Sequence, residues 1–261
     1  AHAGQAAKCI AVAHTLKARY YLHLGKYAEA VTEATAGISS AANNVMAPHG
    51  GTTGKDANLW QDFLANQRVG DYGVSTAKPS FLATMIKAGG AKNDAKTNES
   101  ARYADIFTAA GDDINITTSS IFAGSASFPL VTYEENQLIL AEANARLNNR
   151  AGALTALNAV RTALATKYPT GTYAAFVDAD TQVAGAALLT EIIRERYVSL
   201  VGQIEVFNDV RRTNNAIGIT PTTGTQLPGR FLYPNAEEIS NSNIPTGITL
   251  FDNVKVFGGT K

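Results

Sequence analysis

The sequence predicts an all-α protein, a single domain over 1–261 with two helical hairpins, a long loop-rich insert, a further long helix and a loop-rich C-terminal tail. Three observations predict it. Apolar residues recur at three- and four-residue spacing in long blocks, the period of one helix face. Ala fills 44 of the 261 positions, which favours closely packed helices. One helix-turn-helix pattern occurs twice.

The first hairpin spans 8–40. Leu16, Tyr20, Leu24 and Tyr27 mark one face, Gly25 closes the first helix and Tyr27 opens the second. Small residues at Ala18, Ala30 and Ala34 let the two helices approach. Cys9, the single cysteine, lies in Ala7-Lys8-Cys9-Ile10-Ala11-Val12 and is expected to be a small buried residue of that helix. The second hairpin spans 133–165. Shifting the chain by 123 positions superimposes Leu24 on Leu147 without a gap. Ala18 then meets Ala141, Ala30 meets Ala153, and the turn Gly25-Lys26 becomes Asn148-Asn149, which also tolerates the left-handed conformation. Both copies resemble the tetratricopeptide repeat, although His14 stands where that pattern has an aromatic.

Between the hairpins, 41–130 is rich in Gly, Asn, Asp, Thr and Ser, with short helices expected at Leu59–Asn66 and Pro79–Lys87. A loop of this length inside a compact domain is functional or disordered, and its aromatics argue against disorder. From Leu188 to Asn208 one continuous helix is expected, followed by Asp209-Val210-Arg211-Arg212. The tail from Gly218 reads as surface turns.

Composition excludes several functions. Lys+Arg and Asp+Glu balance at 22 each, so no basic field attracts nucleic acid or an anionic membrane. No run of 18 apolar residues could span a bilayer. Gly50-Gly51-Thr52-Thr53-Gly54-Lys55-Asp56 approximates a phosphate loop, but His49 and Asp56 occupy two of its defining positions. Gly124-Ser125-Ala126-Ser127 lacks the second glycine of a nucleophile elbow. His2, His14, His23 and His49 form no zinc pattern. Asp112-Asp113-Ile114-Asn115 and Asp178-Ala179-Asp180 read as surface turns rather than calcium loops. No cofactor, metal or catalytic residue is predicted, and the protein is expected not to be an enzyme.

Two residue sets remain. Trp60, Phe63, Tyr72, Phe81 and Tyr103 lie in the insert among Asn58, Gln61, Asp62, Asn66, Gln67, Arg68 and Asp71. Flat rings stack on the C–H faces of sugars while amides, carboxylates and guanidinium groups take the hydroxyls. The same rings could instead pack the insert onto the hairpins. Trp60, Tyr72, Tyr103, Phe63, Arg68 and Asp71 are the predicted ligand-binding residues, Trp60 foremost. The other set is Glu195-Arg196 with Asp209, Arg211 and Arg212, charges on an apolar helix that need partners. A buried network is expected, with Arg196 paired to Asp209 or Glu195.

The run 188–212, from Leu188-Leu189-Thr190-Glu191 through Arg194-Glu195-Arg196 to Phe207-Asn208-Asp209, resembles the signature of the SusD/RagB family: I-x-x-E-R, then E-L and E-G, then an aromatic and D-x-x-R. Ser199 and Val201 stand where that signature has acids, which thins the expected network. Tyr133-Glu134-Glu135-Asn136-Gln137-Leu138-Ile139-Leu140-Ala141-Glu142-Ala143, Leu157-Asn158-Ala159-Val160-Arg161 and Tyr233-Pro234-Asn235-Ala236-Glu237-Glu238-Ile239 resemble further family segments in the same order. The resemblance implies a nutrient-binding lipoprotein on the outer face of an outer membrane. It would capture oligosaccharide and pass it to a TonB-dependent transporter of the SusC type. Such members are longer than this chain, so a signal, a lipidated cysteine other than Cys9 and further hairpins are expected before Ala1. Peptide or other non-carbohydrate cargo, and a mainly structural helical repeat, remain open as alternatives.

Overall fold

The structure is a computed structural model that describes residues 4–67, 80–109, 113–221 and 224–252. The first hairpin is α1 (Ala6–His23) and α2 (Tyr27–Thr35). Its turn is a Schellman motif: Gly25, at φ +70°, donates to Leu22 O, and Lys26 N donates to Tyr21 O. The insert begins with β1 (Val45–Ala47), followed by α3 (Leu59–Asp62), which runs into a π turn at Phe63–Gln67. It continues through α4 (Phe81–Ile86), β2 (Thr97–Asn98), α5 (Ser100–Ile106) and β3 (Phe128–Val131). The second hairpin is α6 (Tyr133–Arg146) and α7 (Arg150–Lys167). Asn148 there takes φ +60°, and Asn148 N and Asn149 N donate to Ala145 O and Asn144 O. The two repeat turns thus share one hydrogen-bond pattern with different residues. After β4 (Thr172–Tyr173) come α8 (Ala187–Ser199), α9 (Ile204–Arg212) and the short α10 (Asn235–Ser240).

Small residues decide how the hairpins meet. Ala18, Leu22, Ala30 and Ala34 pack with Ile139 and Ala143 of α6. Asn136 locks the joint: its amide donates to Ala34 O and Ile38 O at the open end of α2, and its Oδ1 accepts from Thr15 at 3.0 Å. A Cβ on Gly37 would lie 2.2 Å from that oxygen, so the approach requires glycine. Arg19 grips Glu135 with two bonds of 2.6 and 2.7 Å. Two larger cores follow. Leu138, Leu157, Val160, Val183, Leu188 and Ile192 fill the first, between α6, α7 and α8. Leu82, Met85, Ile106, Phe122 and Val198 represent the second, between the insert and the far end of α8. The insert is closed at its ends by antiparallel pairing of β1 with β3, Val45 opposite Val131.

Three expectations are corrected. Cys9 is exposed, because nine-residue α2 faces only half of eighteen-residue α1 and leaves its first turns uncovered. Tyr20 and Leu24 point to solvent, while Ala18 and Leu22 make the contact, since only the Ala-bearing face permits close approach. The helix over 188–208 is broken at Leu200–Gln203, where Gly202 takes φ +80°. Trp60 and Phe122 press on that bend: a Cβ on Gly202 would lie 3.0 Å from the Phe122 ring and 3.2 Å from Trp60 Nε1.

Candidate functional site

Lys92, Glu99 and Arg102 bind the insert to α8 by charge. The Lys92 ammonium lies 2.6 Å from both Glu191 and Glu195, two acids one helical turn apart. Arg102 donates to Glu195 and to Ser199 Oγ, each at 2.8 Å, and Ser199 in turn donates to Glu195. Tyr173 OH donates to Glu99. Burial alone would raise the Glu195 carboxyl, but the adjacent Arg102 and Lys92 more than offset it and hold it far below the usual carboxylate range. Burial likewise opposes the charge on Lys92, yet its three neighbouring glutamates raise its pKa. Ser199, a departure from the family acid, serves here as a neutral bridge between Arg102 and Glu195.

A second network joins α6, α8 and α9. Arg196 is fully buried and donates to Asp209 at 2.8 Å. Arg212 reaches Asp209 at 2.7 Å and clamps both oxygens of Glu142 at 2.6 Å. Burial raises the Asp209 and Glu142 carboxyls, and the two arginines overcome it and lower both. Arg196 therefore has Asp209 as its direct partner, and Glu195 faces the insert instead.

Trp60 and Tyr103 are half-buried and pack against the core of Leu82, Ile106, Phe122 and Val198. Trp60 meets Phe122 edge-to-face at 5.9 Å, and its backbone N–H is capped by Asn58. Tyr103 lies 5.2 Å from Phe107 in the same core. Phe63 opens the π turn, half-buried. Tyr72, Arg68 and Asp71 lie outside the described residues. The Gly50–Asp56 loop closes on itself, with Thr52 N donating to Asp56. Asp178 and Asp180 each pair with a cation, Arg150 and Lys96.

A cavity of about 600 Å³ opens where the insert meets the second hairpin. Its floor is apolar, with Ile106, Leu164 and Val198, and Arg102 reaches it from the buried network. Tyr133, Glu134 and Lys167 supply hydroxyl, carboxylate and ammonium groups around it. The insert thus contributes only part of the concave surface; the rest comes from α6, α7, the end of α8, and Ser39 and Ser40 after α2. The contribution of α6 and α7 was hidden in the sequence because Tyr133, Glu134 and Lys167 also suit the ends of helices. A second aromatic surface also escaped the sequence reading. Phe207 and the exposed Phe231 stack at 4.7 Å and 36°, with Arg211 over the Phe207 ring. The run Phe231-Leu232-Tyr233 inside a polar tail was the available signal.

The paired hairpins, the charge-bound insert and the concavity between them define a helical-repeat scaffold that presents a loop-rich surface. The family model described as the SusD family matches residues 82–241, more than half of the chain, and the protein belongs to that family. Solved structures agree on the fold. A SusD/RagB family protein from Bacteroides thetaiotaomicron superposes with TM-score 0.53 at 19% identity, covering 91% of this chain and 61% of that one. A SusD homolog from Parabacteroides distasonis gives 0.55 at 18% identity, covering 79% and 53%. A SusD homolog from Bacteroides fragilis gives 0.53 at 18%, covering 90% and 62%. The chain therefore spans roughly three-fifths of the length of the relatives it matches. No curated protein matches it.

Proposed function

We propose that the protein binds an oligosaccharide at the outer face of an outer membrane, tethered there by a lipid anchor outside this chain. It delivers that ligand to a TonB-dependent transporter of the SusC type and does not hydrolyse it. The observation that carries this reading is the SusD-family match over residues 82–241, since that family binds nutrients beside SusC-type transporters. The cavity supports it: hydroxyl and charged groups surround an apolar floor, a combination suited to a sugar with polar edges and C–H faces.

The binding face is assigned to the insert, with Trp60 its leading candidate and Tyr103, Phe63, Tyr72, Arg68 and Asp71 the further candidates; Trp60, Tyr103 and Phe63 lie outside the lining of the cavity, and the other three lie outside the described residues. Binding residues concentrate on loops held by rigid scaffolds. A glycan array and calorimetric titration of the purified protein test the reading. Trp60→Ala is expected to weaken the selected oligosaccharide about tenfold or more in its folded fraction, as loss of a hot-spot ring does, beyond any fall in melting temperature from the lost contact with Phe122. A large fall in melting temperature with unchanged affinity of the folded fraction would make Trp60 an anchor of the insert. Failure of every glycan on the array, or release of reducing sugar that one Asp or Glu substitution abolishes, would overturn the function itself.

A further inference from the structure

On the insert side of α8 a separate groove of about 490 Å³ runs between that helix and the loop after α4. Phe81, Met85 and Ile217 give it an apolar base, and Arg194 and Lys87 are its charged lining residues. No Asp or Glu lines it among the described residues. Phe81 is held edge-on to Tyr197 at 5.7 Å, so the base is fixed. The loop Lys87–Ala91 is drawn tightly against α4. Gly89 takes φ +78°, and a Cβ on Gly90 would lie 2.3 Å from Thr84 O, so at these two positions the wall is bare backbone.

Arg194 is the unusual member. On the same helix, Glu191, Glu195 and Arg196 all have ion-pair partners. Arg194 is half-buried, and its guanidinium has neither a carboxylate nor a hydrogen-bond partner among the described residues. A partly desolvated guanidinium left unpaired favours an external anion, which its planar fork can bind bidentately.

We propose that this groove binds the anionic substituent of an acidic saccharide, a carboxylate or a sulfate, with Arg194 as its partner and Phe81, Met85 and Ile217 against the sugar ring. The charge assignment stands on the groove; the saccharide rests on the function proposed above.

The test is calorimetric titration of the purified protein with digalacturonate, a sulfated disaccharide, a neutral disaccharide and inorganic sulfate, at low and high NaCl. The acidic disaccharides are expected to bind more tightly than the neutral one and to weaken in high salt. Arg194→Gln should lower their affinity about tenfold or more, the loss of one charge-assisted contact, without shifting the melting temperature. If Arg194→Gln does not fold, Arg194→Lys replaces it, and a several-fold loss is expected from loss of the fork. Equal binding of neutral and acidic disaccharides, or acidic binding unchanged by the substitution, overturns the proposal while leaving oligosaccharide capture intact. Inorganic sulfate binding as tightly as the saccharides overturns the saccharide assignment. No binding of any saccharide overturns both readings.

Discussion

At the residue scale the buried ions decide most. Asp209 serves two arginines at once, completely buried Arg196 and Arg212. Asp209→Ala removes the acid that faces Arg196 most closely, leaving Glu142 at 3.7 Å as its remaining neighbour. Breaking a buried pair from one side costs about 3–5 kcal/mol, and urea unfolding of that variant is expected to show a loss in this range. An unchanged midpoint would mean that Glu142 alone satisfies both arginines. Arg196 itself was legible in the sequence as a charge that must find a partner. Lys92 was not: nothing around Ala91-Lys92-Asn93 marks it as the cation between Glu191 and Glu195, because its partners lie far along the chain.

At the scale of elements, the hairpins were readable because their determinants are local. Ala and Leu spacing gave the helices, and the 123-residue offset gave the second turn from the first. The shared Schellman geometry makes a prediction: Asn148→Gly should leave stability nearly unchanged, while Asn148→Val should cost about 1–2 kcal/mol, the penalty of a β-branched residue in the left-handed region. Thermal unfolding of the two variants checks it; equal melting temperatures would show that the turn can relax away from φ +60°. The break between α8 and α9 falls at Gly202, a local signal in itself, but the Phe122 and Trp60 rings that leave no room for a side chain there come from the insert and are not visible in the neighbouring sequence. Helix α5 was missed for a related reason. Its buried positions are Arg102 and Ile106, and a charged residue at a core position hides the apolar period. The candidate site shows the same limit: the insert side of the cavity is formed by Met46, Arg102, Ile106, Ile121 and Pro129 rather than by Trp60, Phe63 or Tyr103, and its walls from α6, α7 and α8 depend on packing.

At the scale of the whole molecule, three regions are held together by carboxylates whose pKa values are lowered. Glu195 fixes the insert to α8, Glu142 and Asp209 join α6 to α8 and α9, and Glu205 stands beside His23 of α1. Each has a folded pKa below its unfolded value, so its stabilisation is fully present above the unfolded range near pH 4 and is lost as pH falls through the folded values. The melting temperature is expected to be flat from about pH 5 to neutrality and to fall steeply below about pH 4. Circular dichroism melts across that range test this; stability that rises on acidification would contradict the network. The pairing of Val45 with Val131 reaches further. It brings the two stems of the insert side by side, and between them the second hairpin holds the insert at fixed points such as Lys96 and Thr97, which accept from Arg161 of α7. Closing a flexible loop costs only about 0.6 kcal/mol more for each doubling of its length. Provided that Lys92, Lys96, Thr97, Glu99 and Arg102 keep their places, the intervening stretches can lengthen, shorten or be exchanged for others, and the same frame can acquire a new specificity without being rebuilt.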